Sequence, residues 1–370
     1  MARILYVTTY SPQRSDLGGA AWVDRQIIER LRERFEVDVF VVVDDNAVNP
    51  VPLEVRRSRW SAFRTLLRMI LRREPYQAAK FRWSPNWNSR AAELVPLLKS
   101  DSVVVTSQWP ALLMLSDLGV ASVLHIAHNV DYVIADAHDP RVFSLVKNAR
   151  RMRRVEFDLL RRPARVLALS AADSDRLRSG GVEASQLRLS SGAESRTVAS
   201  QRRIGFVGKA TWPPNAEAIE ALTKEVMPAV RARIGISSPS LVLAGRGSER
   251  WASRDVRALG ALDKLDEFYA AIDLVVVPRM GPTTGISVKL LEALEHGVHV
   301  IAPSALIQDA GIEAGCTRAD TPAEVAEAVI RYYGNHLPSS FSPSPRKPEV
   351  VRSEPIELQD LPEYVAEVVQ

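Results

Sequence analysis

The 370-residue chain contains a single cysteine, Cys316. This excludes an internal disulfide and a cysteine-based zinc site, and it fits a reducing compartment. Histidine is also scarce. Of the six present, only His125 and His128 lie close together, and no further ligand pattern accompanies them. Neither a metal nor a cofactor is expected. No run approaches the ~18–20 apolar residues of a membrane-spanning helix. The first ten residues, MARILYVTTY, lack the long apolar core and small-residue cleavage site of a signal peptide and read as a strand. A cytoplasmic location is the expectation, with peripheral contact at the inner face of a membrane left open. Repeats of solenoid period are absent.

The composition, 46% hydrophobic and 25% charged, is that of an ordinary globular protein. Single cores seldom grow past roughly 250–300 residues, so this length implies two domains. The net charge of +4 hides an asymmetry. Residues 1–195 hold 29 basic and 22 acidic residues, a net +7, and the remainder holds 19 and 22, a net −3. The excess gathers in 56–90, with ten basic residues against Glu74, and in 141–165, with nine against Glu156 and Asp158.

Apolar strand-like runs alternate with helical patterns, which indicates doubly wound parallel α/β units. Strands are predicted at 3–9, 36–43, 102–107, 121–127, 165–170 and 186–190, with helices at 20–34, 61–73, 88–99, 110–117, 142–162 and 171–179. The last helix follows Ser170 in S-A-A-D, a capping box with Asp in place of Glu. The pattern restarts with strands at 203–208, 240–245, 256–259, 273–278 and 298–302 and helices at 214–233, 264–271, 286–296 and 322–333. The expected organisation is a Rossmann-like domain at 1–190, a small polar linker at 191–202, a second Rossmann-like domain at 203–335, and a Pro/Ser-rich crossing tail with a terminal helix at 336–370. Two such domains facing across a cleft would bind ligands at the carboxyl ends of their strands.

The segment RMGPTTGISVKLLEALEHGVHVIAP (279–303) runs from a strand through a Gly/Thr loop into a helix. Backbone N–H groups and a helix dipole there suit a phosphate. Lys289 and Glu292 share one helix face. Lys289 leans back over the loop toward an anion, and Glu292 can accept from sugar hydroxyls. The alternative is a buried crossover with a surface Lys–Glu pair. Gly18 and Gly19 open a helix after the first strand and allow close backbone approach to a ligand, though this is no GxGxxG fingerprint and a tight turn would use the same pair. His128 ends the run VLHIAH, where an imidazole can serve a substrate or the core, while His125 reads as core. Lys209 follows RIGFVG, either as a point charge for phosphate or as a solvated lysine.

The ordered set AHNVDY, RRVEFDLLRR, VLALSAADSDRL, IGFVGKATWPPNAEAI, LVLAGRGS, LGALDKLDEFYAAIDLVVVPR and GISVKLLEALEHGVHVIAP resembles the family 4 retaining glycosyltransferases of the GT-B fold, over about 1–335. It is most similar to the subgroup with a Gly-Thr-Gly loop and a Lys before Leu-Glu-Ala. The resemblance implies a nucleotide-diphosphate sugar held mainly by the C-terminal domain, and an acceptor that is a glycan, a lipid-linked sugar or a small molecule. It implies catalytic roles for Lys209, Lys289 and His128. Its donor-binding set is Gly18, Gly19, Gly245, Gly260, Thr284, Gly285, Ile286, Ser287 and Glu292. Lys209 and Lys289 would neutralise the diphosphate, the 285–287 amides would hold phosphate oxygens, Glu292 the ribose, and the loops at Gly245 and Leu259–Gly260 the base. Domain closure about 190–202 would exclude water.

The chain departs from the family pattern. Thr284 stands where the first acid of Glu-x7-Glu is usual, Lys209 replaces an Arg, Asn215 replaces a second Lys, and SSGAE replaces Pro-Asn-Gly-Val. Two further readings therefore stand beside sugar transfer: a sugar-nucleotide-binding or interaction protein that kept the fold, and a sugar-nucleotide epimerase, which Thr284 opposes. The stretch RRSRWSAFRTLLRMILRREPYQAAKFRW (56–83) mixes arginine with apolar residues. It can lie on an anionic membrane, bind a phosphorylated acceptor, or bury its apolar face in the N-terminal domain. No nucleic-acid-reading motif accompanies the charge.

Overall fold

A computed structural model describes the chain except residues 1, 15–18, 52–58, 99–101, 140, 190–200, 263, 281–283, 313, 335–354 and 370. The expected linker and much of the Pro/Ser-rich tail lie outside the described residues. Two compact units result: Met1–Arg188 with Thr284–Ile286 and Glu354–Gln370, and Leu189–Thr283 with Ser287–Ser353.

The first unit runs β1 (Arg3–Tyr10), α1 (Gly19–Arg32), β2 (Glu36–Val43), α2 (Arg59–Leu71), α3 (Tyr76–Arg82), α4 (Trp87–Leu94), β3 (Ser102–Ser107), α5 (Trp109–Asp117), β4 (Leu124–Ala127), α6 (Asp131–His138), α7 (Arg141–Leu145), α8 (Asn148–Leu160), β5 (Arg165–Ala168), α9 (Ala171–Ser179) and β6 (Ala184–Arg188). The second runs β7 (Arg203–Val207), α10 (Pro213–Ala221), α11 (Met227–Ile234), β8 (Ser240–Ala244), β9 (Val256–Ala258), α12 (Asp266–Ala270), β10 (Leu274–Val276), α13 (Val288–Glu295), β11 (His299–Ala302), α14 (Ser304–Asp309), β12 (Cys316–Arg318) and α15 (Pro322–Gly334). The chain then adds β13 (Ile356–Glu357) and α16 (Leu361–Val369) to the first unit.

Both sheets are parallel throughout, in the orders β13-β6-β5-β4-β3-β1-β2 and β12-β11-β10-β7-β8-β9. Helices covering both faces explain why the central strands read as continuous apolar runs rather than alternating ones. In β1 every residue from Ile4 to Thr9 is buried. Because all strands in a sheet are parallel, their carboxyl ends fall on one edge, where the polar loops collect.

Three differences from the sequence expectations have local causes. The helix expected at 142–162 breaks into α7 and α8, because Lys147 sits at φ 53°, a left-handed value that ends a right-handed helix. The helix expected at 214–233 contains a π turn over Leu222–Val226 before α11. Pro228 lacks the N–H that would continue the regular ladder there. Helices α3, α6 and α14 and strand β12 carried too short an apolar period to be read.

Candidate functional site

In the second unit the cationic residues gather at the carboxyl ends of β7 and β10 and the start of α13. Beyond β7, the exposed Lys209 offers its backbone carbonyl to Asn215 Nδ2 at 3.0 Å. The other end of that amide, Oδ1, accepts from Lys289 Nζ at 2.9 Å. The lysine ammonium also lies 4.3 Å over the Phe206 ring. Burial, with repulsion from Arg279, lowers the Lys289 pKa from 10.5 to about 7 against the opposing pull of Glu292. Arg279 is itself depressed by burial and stacks over Trp212 at 4.9 Å. Two cations therefore share one poorly solvated place at the N-terminal end of α13.

The surrounding loops pack backbone against backbone. Gly245 N donates to the Gly260 carbonyl at 2.6 Å, Ser248 Oγ accepts from Gly260 N at 3.1 Å, and Gly208 N donates to the Ala244 carbonyl at 2.9 Å. Gly245 has φ 113°, and a Cβ there would lie 2.3 Å from the Gly208 carbonyl oxygen. Only glycine fits. Buried Ser287 caps the start of α13 with its carbonyl, which accepts from Leu290 N at 2.9 Å. Glu292 is half-buried with Oε2 3.5 Å from the Tyr269 hydroxyl, and Tyr269 stacks on His296 at 4.4 Å.

In the first unit His128 belongs to a buried network at the ends of β1, β3 and β4. Its Nε2 lies 2.9 Å from Ser107 Oγ and 3.3 Å from Asp24 Oδ1. Asp24 accepts from Tyr6, Thr8, Ser107 and Gln108 at 2.8, 2.6, 2.6 and 3.2 Å. Burial alone would raise the Asp24 pKa, but His128 and the Ser107 and Thr8 hydroxyls hold it below 3.8. Ser107 Oγ donates to Asp24, so its oxygen is the atom that faces His128 Nε2. His125 is fully buried, as a core residue should be.

The loop residues Thr284 and Gly285 meet Asp173 of α9. Thr284 Oγ1 accepts from Val130 N at 2.6 Å and donates to Asp173 Oδ2 at 2.9 Å, and Gly285 N donates to the same oxygen at 2.5 Å. That amide is therefore held by a carboxylate here, not left open for a phosphate. At φ 68°, Gly285 comes so near His128 that a Cβ would lie 2.3 Å from its carbonyl oxygen. The capping box at Ser170 forms by half. Ser170 Oγ accepts from Asp173 N at 3.2 Å, while the Asp173 carboxylate turns to Arg176 and the 284–285 loop instead of returning to the cap. Glu156 accepts from Asp131 N at 2.6 Å and Tyr132 N at 2.9 Å. Burial and then mutual repulsion raise Glu156, and Asp131 is raised to about 7 by burial and the charge of Asp173.

Of the residues singled out in the sequence, Lys209, Lys289, Gly245, Gly260, Ser287 and Glu292 lie in the second unit, and Gly19, His128, Thr284, Gly285 and Ile286 in the first. Gly18 lies outside the described residues. The reading missed Arg279, Asn215 as a hub and Asp173. The first was signalled by a basic residue directly after a strand, and the second by its departure from the family pattern. The third, 112 residues from Gly285, had no local signal. Among the described residues no group of three or more His, Cys, Asp or Glu has an arrangement suited to a metal, and no helix is long and apolar enough to cross a membrane.

Residues 201–335 match the family model described as Glycosyl transferases group 1. No curated protein sequence matches the chain significantly. Among solved structures, the chain is similar to a sucrose-phosphate synthase from Thermosynechococcus elongatus, with TM-score 0.62, 16% identity and 90% of each chain covered. It is also similar to a UDP-forming alpha,alpha-trehalose-phosphate synthase from Burkholderia xenovorans in complex with glucose-6-phosphate, with TM-score 0.58, 13% identity and 90% and 92% covered. Anabaena HepE in complex with UDP and glucose gives TM-score 0.53, 14% identity and 89% of each chain. These likenesses establish the fold: the chain consists of two Rossmann-like α/β units of the GT-B type.

Proposed function

We propose that the chain is a retaining glycosyltransferase, moving a sugar from a nucleotide-diphosphate donor to a glycan, lipid-linked or small-molecule acceptor. The observation that carries this reading is the desolvated Lys289–Arg279 pair at the start of α13, inside the segment that matches the group 1 family. A diphosphate is the charge complement of such a site. When the glycosidic bond breaks, charge grows on the departing diphosphate. Lys209, Lys289, Arg279 and the α13 dipole are preorganised to stabilise it. That much positive charge makes a metal ion unnecessary. Glu292, steadied by Tyr269, holds the ribose. The acceptor attacks on the face the leaving group vacates and passes its proton to the phosphate, and His128 lines the sugar side. The activity belongs in the cytoplasm, at the inner face of a membrane.

Two of the similar structures are a complex with UDP and a UDP-forming synthase, so UDP is the first nucleotide to test, beside GDP and TDP. At 100 times its dissociation constant the right one stabilises the protein by about 2.7 kcal/mol. Transfer or donor hydrolysis is then measured for Lys289→Ala and Glu292→Ala, and wild-type rates in both variants would sink the assignment. Thr284 in place of an acid favours a second reading, a sugar-nucleotide-binding protein without chemistry. Tight binding with neither transfer nor hydrolysis would select it.

A further inference from the structure

Helix α2 carries its apolar stripe outward. Phe63, Leu66, Leu67, Ile70 and Leu71 recur at the spacing of one helix face, yet their exposures run from 41% to 72%. The inward face is Met69, 1% exposed, with Arg68, which pairs with Glu74. The alternative in which this helix buries its apolar face in the domain does not describe these residues. Glu74, the one acid of 56–90, is occupied by Arg68 and Arg82. Arg64, Arg72 and Arg73 lie exposed around the stripe.

The second basic segment arrives at the same place. Asn148 Oδ1 accepts from Tyr76 N at 2.7 Å, the Tyr76 and Phe143 rings are 5.0 Å apart, and Arg151 donates to the Met69 carbonyl within α2. These contacts set α7 and the start of α8 against the start of α3, and α8 against the end of α2. Leu145 is 82% exposed there, and Arg141, Lys147 and Arg150 are exposed too. Neither α2 nor α7 contains an acidic residue.

A stripe of exposed apolar side chains, mostly aliphatic, set among cations suits a partner that takes both. A nucleic acid would leave the stripe in water, and a second copy would bring like charge against like. An anionic bilayer offers acyl chains to the stripe and phosphates to the arginines. We propose that α2, with α7 and the start of α8, docks this chain on an anionic lipid surface. The docking rests on the first unit alone and deepens the membrane-face location of the proposed function.

Sedimentation of the full chain with vesicles tests it, using phosphatidylcholine alone and phosphatidylcholine with phosphatidylglycerol in equal parts. The chain should sediment with the anionic vesicles and not the neutral ones, and added salt should release it. Phe63→Ser/Leu67→Ser/Leu71→Ser and Arg72→Glu/Arg73→Glu/Arg150→Glu should each weaken binding about tenfold or more. All six side chains are exposed, so thermal unfolding and nucleotide binding should stay unchanged, which separates this result from failure of the transferase reading. Negligible or equal binding to both vesicle types overturns the proposal, as does wild-type binding by the serine variant. A dimer in sedimentation velocity that the serine variant lacks, without vesicle binding, also overturns it and gives the face to a second copy.

Discussion

Among the described residues the most deeply buried charges of the first unit are the carboxylates Asp24, Glu156 and Asp173, whereas the second unit brings together two half-buried cations, Lys289 and Arg279. Glu156 takes two backbone N–H groups, Asp173 an N–H, a hydroxyl and a guanidinium, and Asp24 three hydroxyls and an amide. Among the described residues Lys289 meets the Asn215 amide oxygen and the Phe206 ring and feels the charge of Glu292, and Arg279 stacks on Trp212 and feels the charge of Glu217. Desolvation is common to both, but the protein itself supplies partners to most of the carboxylates. Buried charge satisfied from within fixes a shape, and buried charge left short of partners favours whatever ligand completes it. The first unit reads as a built frame, and the second carries the cations on which the proposed diphosphate site rests.

The largest test of this contrast is Asp24→Ala. Removing one side of a buried, hydrogen-bonded pair leaves His128 and three hydroxyls without their acceptor, and the cost should be about 3–5 kcal/mol in chemical denaturation. Next comes Lys289→Met. Sugar transfer should fall about 10²–10³-fold, roughly 2.7–4 kcal/mol, while the melting temperature holds or rises because a desolvated charge has been replaced by an apolar chain of similar size. A lower melting temperature with intact nucleotide binding would instead make Lys289 a frame residue and erase the contrast. Gly245→Ala should cost about 1–3 kcal/mol through backbone strain, since its Cβ would lie 2.3 Å from the Gly208 carbonyl oxygen. The loss should show in both stability and nucleotide affinity.

The frame was the more legible part in the sequence, strand by strand, because a parallel sheet covered on both faces leaves unbroken apolar runs such as RILYVTT and DLVVVP. Helix ends were less so. The break between α7 and α8 depends on one residue, Lys147, adopting a left-handed φ that no lysine advertises. The place of Lys289 at a helix start after a strand was legible in the alternation of apolar run, Gly/Thr loop and helical period. Asn215 was visible only as a missing lysine. In three dimensions the missing charge has a counterpart, since Lys289 Nζ meets the Asn215 amide. Asp173 looked like a helix cap, and local spacing says nothing about a loop more than a hundred residues away that claims its carboxylate.

The smallest and most discriminating effect is on pH dependence, where the two units should bend stability in opposite directions. Asp131 is raised from 3.8 to about 7, so between those values the folded state holds a proton the unfolded chain has released. Stability therefore falls as pH rises through that window. Lys289 is lowered from 10.5 to about 7, so between 7 and 10.5 the unfolded chain holds the extra proton and stability rises with pH. Each slope is bounded by about 1.4 kcal/mol per pH unit. Asp131→Asn should lessen the acid slope, to which Glu156 and Asp173 also contribute, and leave the alkaline limb unchanged, whereas Lys289→Met should flatten the alkaline limb. Nucleotide binding adds the sign that stability cannot. An anion needs the ammonium form, so affinity should weaken by up to about tenfold per pH unit above 7, and Lys289→Met should remove that slope. A wild-type dissociation constant that is flat from pH 7 to 9 would mean the anion never meets Lys289.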